Sequence, residues 1–215
     1  MTQSGRESGS VALDLEMAAL VRLAARITAG SEEEVRAGFA ECLSLGVRGG
    51  WTEEVVLQSY LFAGFPRALN AAREWRKTGA TDGVLGSGLS VGGSGSPAEF
   101  RRMGEETCAV VYGKFYEKLR GNIRALHPLL DEWMIVEGYG KVLSRPGLDL
   151  QRRELCIIAA CAAAGQDRQL HSHLHGALNA GVSRKTVSAA LEALVGVVDE
   201  EILVRARMLF ARLRA

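Results

Sequence analysis

The strongest constraint on this chain is that it reads the same way twice. Leu20 to Val47, LVRLAARITAGSEEEVRAGFAECLSLGV, lines up with Leu155 to Val182, LCIIAACAAAGQDRQLHSHLHGALNAGV, at a constant offset of 135 residues. Leu20 meets Leu155, Gly30 meets Gly165, and Gly46 meets Gly181. After each copy another segment rich in Val, Leu and Ala begins, at Thr52 and at Ser183. Helix, glycine break, helix, glycine, helix, twice, is the mark of an internal repeat whose units bury their apolar faces against each other. One alternative register remains: a four-residue slip near Arg48–Gly50 would set Cys42 opposite His173.

The rest of the chain also reads as helix. No sustained period-two alternation signals a strand, aromatics are few, and Ala and Leu are everywhere. Ser31-Glu32-Glu33-Glu34 is a capping box with acids placed to meet the helix macrodipole. Thr52, Asp149 and Ser183 read as further N-caps. Between Gly79 and Pro97 the sequence GATDGVLGSGLSVGGSGSP carries too little apolar surface to offset its ordering entropy, and a flexible linker is predicted. The expected organisation is a disordered tail over 1–12, an N-terminal repeat without catalytic residues over 13–78, the linker over 79–97, and a C-terminal repeat with the candidate site over 98–215.

Charge and cysteine content narrow the function classes. Lys+Arg of 26 against Asp+Glu of 25 leaves a formal +1, and the cations form no stripe, which argues against a nucleic-acid partner. No apolar run approaches the ~20 residues of a membrane span. The N-terminus lacks a basic segment followed by an apolar one, so a cytoplasmic protein is expected. The four cysteines, Cys42, Cys108, Cys156 and Cys161, show no CxxC spacing. Cys156 and Cys161 would lie about 140° apart around one helix, a poor disulfide geometry, so buried reduced thiols are expected.

The two copies differ in their polar content. The second holds three of the four histidines, His171, His173 and His175, and a glutamate, Glu154, at the head of an apolar run. The matching positions in the first are Arg36, Gly38, Ala40 and Ala19. A titratable cluster beside an apolar wall is where pKa values can be moved usefully. His171 and His175 share a helix face, and His173 lies about 200° from each. Asp167–His171–His175 has the look of a metal-ligand stripe, but neither an HExxH pattern nor a third anchor accompanies it. An exposed or interface stripe without metal is the expectation.

Tyr139-Gly140, Arg145-Pro146-Gly147-Leu148, Arg153-Glu154-Leu155 and HLHGALNAGVS from His173 to Ser183 together resemble the carboxymuconolactone decarboxylase family, within the alkylhydroperoxidase D-like superfamily. In the first half Ala63-Gly64-Phe65-Pro66-Arg67-Ala68-Leu69-Asn70-Ala71 is similar to that family's alanine-glycine-phenylalanine-proline segment. The resemblance implies an all-α fold of small repeat units packed into rings. With two units in one chain, a homotrimer would complete six. Redox relatives carry a CxxC between the glutamate and the histidine. Here that pair falls on Gln166 and Gln169, so thiol–disulfide exchange through this site is excluded.

What survives is the proton-handling pair, and the resemblance implies cofactor-free decarboxylation of a small lactone acid from aromatic-compound breakdown. His173 would deliver the proton, since an ordinary imidazole pKa of about 6.5 suits transfer near neutrality. Glu154 would hold its other ring nitrogen. Arg153 and Arg145, and less so Arg152, are candidates for a planar grip on substrate carboxylates, and Tyr139 for a hydroxyl contact. Leu126, Leu130, Trp133 and Met134 form an apolar stripe expected in the core or at a ring interface, and Trp51, Tyr60 and Phe65 are read as packing. Two other readings stay open: a cysteine-dependent peroxidase acting through an isolated thiol such as Cys42 or Cys156, and a non-enzymatic helical oligomer that binds a small ligand.

Overall fold

The computed structural model describes residues 13–79 and 95–213; the predicted tail over 1–12 and most of the predicted linker lie outside them. The described chain is helical, with no strand. The first half forms α1 (Leu15–Ala29), α2 (Glu32–Ser44), α3 (Gly49–Gln58) and α4 (Tyr60–Lys77). The second forms α5 (Pro97–Tyr112), a 3₁₀ turn (Gly113–Phe115), α6 (Tyr116–Leu126), α7 (Pro128–Trp133) and a π-helix (Met134–Leu143). It ends with α8 (Leu150–Ala163), α9 (Asp167–Asn179), α10 (Arg184–Glu192) and α11 (Glu200–Ala211).

The offset of 135 read from the sequence is visible in the helix starts: Leu15 with Leu150, Glu32 with Asp167, and Gly49 with Arg184. The register therefore carries no slip, and Gly38 rather than Cys42 corresponds to His173. Gly46 and Gly181, which end the second helix of each repeat, both adopt positive φ, 73° and 91°, a conformation that L side chains rarely take. The caps follow their chemistry. Ser31 makes a complete capping box with Glu34, Asp149 accepts from the Arg152 N–H, and Ser183 accepts from the Thr186 N–H. Thr52 is a correction: α3 begins three residues earlier, at Gly49, and Thr52 lies buried within its first turns.

The core is built around α1 and α8, which pack along each other at the join between the repeats. Both are apolar on nearly every side, as helices surrounded by protein must be. The segment α5 lies against the π-helix so closely that the Gly104 and Gly140 positions meet the Ile135 and Phe100 carbonyls; a methyl group at either would strike backbone. A buried ion pair joins the halves. Glu54 of α3 accepts from Arg145 and, at 2.7 Å, from Arg153 of α8. No helix among the described residues is long and apolar enough to cross a membrane.

Candidate functional site

Two neighbouring helices of the second repeat bring Glu154 and His173 together. Glu154 follows the Asp149 cap on the first turn and a half of α8, on the side that faces α9. His173 sits in the middle of α9, on the face opposite His171 and His175, as its spacing requires. His173 Nδ1 lies 2.9 Å from Glu154 Oε2. Glu154 is 0% exposed and His173 5%.

The close approach has a sequence cause. A Cβ at Gly176, one turn after His173, would fall 2.7 Å from Glu154 Oε2 and 2.6 Å from Val111 Cγ1. Only glycine leaves room there for the carboxylate between α8, α9 and α5.

The pair is not saturated. Glu154 Oε1 is buried without a hydrogen-bond partner among the described residues, a costly arrangement for a carboxylate. With Nδ1 held by the carboxylate, His173 Nε2 is the nitrogen left for other chemistry, and no protein bond to it is seen among the described residues. The Phe62 ring, from α4 of the first repeat, stands edge-on to the imidazole with centroids 5.7 Å apart. Phe62 precedes the break at Gly64 (φ 80°), where Pro66 follows, so α4 is kinked beside the site.

Tyr139 is brought into this neighbourhood by the π-helix, a wide turn of backbone often found where a side chain must be aimed. Burial pushes its phenol well above the usual value, and Tyr112, Cys108 and the Glu154 charge add to the effect. The Tyr112 phenol is held up to about 12 mainly by burial, and its ring stands edge-on to that of Tyr139 with centroids 6.3 Å apart.

The two arginines proposed to grip substrate are placed elsewhere. Arg153 is 0% exposed and donates to the Leu148 carbonyl, Gln58, Glu54 and the Arg145 carbonyl. Arg145 gives its guanidinium to Glu54. Burial pushes the Glu54 pKa up, but the hydrogen bonds and charges of these two arginines outweigh it and hold it below the ordinary value. Both guanidiniums therefore join the repeats and do not face His173. Arg152 pairs with Asp149 and lies 4.4 Å from the centre of the Trp51 ring.

All four cysteines are unpaired and buried. Burial pushes the thiols of Cys42, Cys108 and Cys161 up to about 12, and that of Cys156 also upward. None is a thiolate at neutral pH, so none has the character of a peroxidatic nucleophile. His171 and His175 contact each other edge-on at 4.9 Å, while Asp167 pairs with Arg205 at 3.8 Å. No group of three or more His, Cys, Asp or Glu among the described residues is arranged for a metal ion. Leu126, Leu130 and Trp133 are exposed and do not belong to this chain's core.

Phe62 and Tyr112 escaped the sequence reading. Phe62 belongs to the Tyr60–Pro66 segment, whose Gly-Phe-Pro was a visible signal; Tyr112 carried none. Comparison with known proteins agrees with the residues quoted above. Residues 132–207, which run from α7 into α11 and carry Tyr139, Glu154 and His173, match the carboxymuconolactone decarboxylase family. The chain is also similar to peroxisomal protein 2 of Saccharomyces cerevisiae, 28% identical over 161 residues that cover 63% of this chain and 56% of that protein. This chain thus spans little more than half the length of that relative.

Proposed function

We propose that the Glu154–His173 pair is the catalytic centre of a cofactor-free decarboxylase acting on a small unsaturated lactone acid. The observation that carries the reading is the buried 2.9 Å contact between Nδ1 and the carboxylate, which leaves Nε2 for substrate. In the reaction the bond from the ring carbon to the carboxylate breaks and carbon dioxide departs. The electron pair passes into the conjugated lactone as an enolate. The Nε2 proton then goes to carbon, while Glu154 accepts from Nδ1–H and stabilises the imidazolium. The apolar walls of α8 favour loss of charge from the carboxylate, and Phe62 shields the imidazole from water.

The cysteine-dependent alternative is disfavoured by the burial and raised pKa of every thiol. Assignment to aromatic-compound breakdown rests on the family match over 132–207. The unpaired cysteines fit a reducing compartment such as the cytoplasm. The same reading has three two-repeat chains assembling into a ring, with exposed Leu126, Leu130 and Trp133 as the contact. Light scattering on Trp133→Asp tests it: a lighter species than the native chain supports the contact, and an unchanged trimer removes these residues from it.

The central test follows carbon dioxide release and loss of lactone absorbance with γ-carboxymuconolactone, for the native chain and His173→Ala. Turnover that collapses in the variant establishes the reaction and its proton donor. Turnover that survives removes His173 from the role, and no turnover by the native chain overturns the decarboxylase reading.

A further inference from the structure

Outside the buried pair, one surface cavity brings apolar, cationic and amide groups together beside Tyr112 and Ser172. It measures ≈ 300 Å³ and lies between the end of α5, the 3₁₀ turn, α6 and the outer face of α9. Its apolar side is Val111, Leu119 and the Phe115 ring, which is 52% exposed. Its polar side is Lys118, His171, His175 and the amides of Asn122 and Asn179. No carboxylate among the described residues lines it. An adjoining cavity shares Tyr112, Phe115, His175 and Asn179 and adds Lys114 and Arg212, again without an acidic side chain among the described residues.

The wall is built by the backbone as well. Gly113 takes φ 50°, which turns the chain out of α5 and sets Phe115 at the rim. Asn179 donates to the Val111 carbonyl at 2.8 Å, tying the end of α9 to the end of α5. His175 is held below its usual pKa by burial, then by His171 and Arg184, so the site lacks the anion that would relieve it.

The geometry points to this cavity as a binding site for a small planar monocarboxylate, its ring against Phe115 and Leu119 and its carboxylate toward Lys118 and His175. The volume sits at the lower end for ligand pockets, which suits a one-ring acid. The Lys118 ammonium, with no acid among the described lining residues, favours an anion over neutral and cationic analogues of the same shape. The cavity lies on the face of α9 opposite His173, so this site is separate from the proposed catalytic pair, is measured by binding alone, and can stand or fall without the decarboxylase reading.

The probe is benzoate, with benzamide as its neutral isostere, titrated calorimetrically against the native full-length chain and against Lys118→Ala, Phe115→Ala and His173→Ala. Chemical-shift mapping is run in parallel. Saturable benzoate binding with benzamide at least about tenfold weaker is expected, since a charge-assisted bond is worth about that factor or more. Lys118→Ala and Phe115→Ala each weaken benzoate by about tenfold, with shifts centred on Phe115 and His175. His173→Ala leaves this binding intact even where it abolishes turnover. Equal binding of benzoate and benzamide, unchanged affinity in Lys118→Ala, shifts centred on His173, or no saturation by about 10 mM would each overturn the site.

Discussion

Each repeat ties its first helix to its second through a single carboxylate, and the two joints are built in opposite ways. In the first repeat the carboxylate is on the second helix: Glu41 of α2 binds Arg22 and Arg26 of α1. In the second it is on the first helix: Glu154 of α8 meets His173 of α9. The arrangements exclude each other. At Gly38, the position of His173, a Cβ would already stand 3.0 Å from Leu23 Cδ1 and 3.3 Å from the Arg26 stem, so an imidazole has no room. At Gly176, the position of Glu41, Glu154 itself fills the space. Cys161 takes the place of Arg26.

Their environments differ just as sharply. Arg26 and Glu41 side chains are 20% and 26% exposed, and the two arginines overcome burial to hold Glu41 below its ordinary pKa. Such a saturated, partly wet pair fastens helices and offers nothing to a substrate. Glu154 and His173 are dry and incompletely bonded, which costs stability and leaves reactive atoms. On the proposed reading, the fold keeps the joint and changes its use by moving one carboxylate across a helix pair.

The comparison can be broken from its strongest member down. Glu54→Gln leaves the fully buried Arg153 without its counter-charge and should cost about 3–5 kcal/mol in urea unfolding at neutral pH. Because the folded Glu54 pKa is lowered from 4.5, its stabilisation is present above that value and is lost as pH falls below it. The native and variant chains should therefore converge in acid. Gly176→Ala should cost about 1–3 kcal/mol and depress turnover, because the new methyl displaces Glu154 or Val111.

Glu154→Gln should lower kcat at least tenfold with no loss of melting temperature, since it neutralises a buried, half-bonded carboxylate. Glu41→Gln, by contrast, should cost no more than about 1 kcal/mol and leave turnover alone. The smallest effect is in thiol labelling. With thiols raised to about 12, Cys42, Cys108 and Cys161 should react with a disulfide reagent at pH 8 only after denaturation.

The repeat, the caps at Ser31, Asp149 and Ser183, and the inward turn of His173 were legible because they depend on local chemistry and a 3.6-residue period. Glu154 could be matched with His173 through the family motif. The true partner of Arg153 could not be read, because Glu54 is 99 residues away in sequence. Tyr112 was hidden for a related reason: the π-helix that sets Tyr139 beside it depends on the glycine-mediated packing of α5, which no local pattern announces. Thr52 misled because a good capping residue lay just inside a helix already begun at a glycine pair.

The most direct measurement compares His173→Gln with Glu41→Gln, recording carbon dioxide release from γ-carboxymuconolactone and the melting temperature of each. A fall in kcat of about 10²–10⁴ with an unchanged melting temperature is expected for His173→Gln. Glu41→Gln should show the reverse, full turnover and a slightly lower melting temperature. Equal turnover in the two variants would contradict the division between a joint that holds and a joint that works.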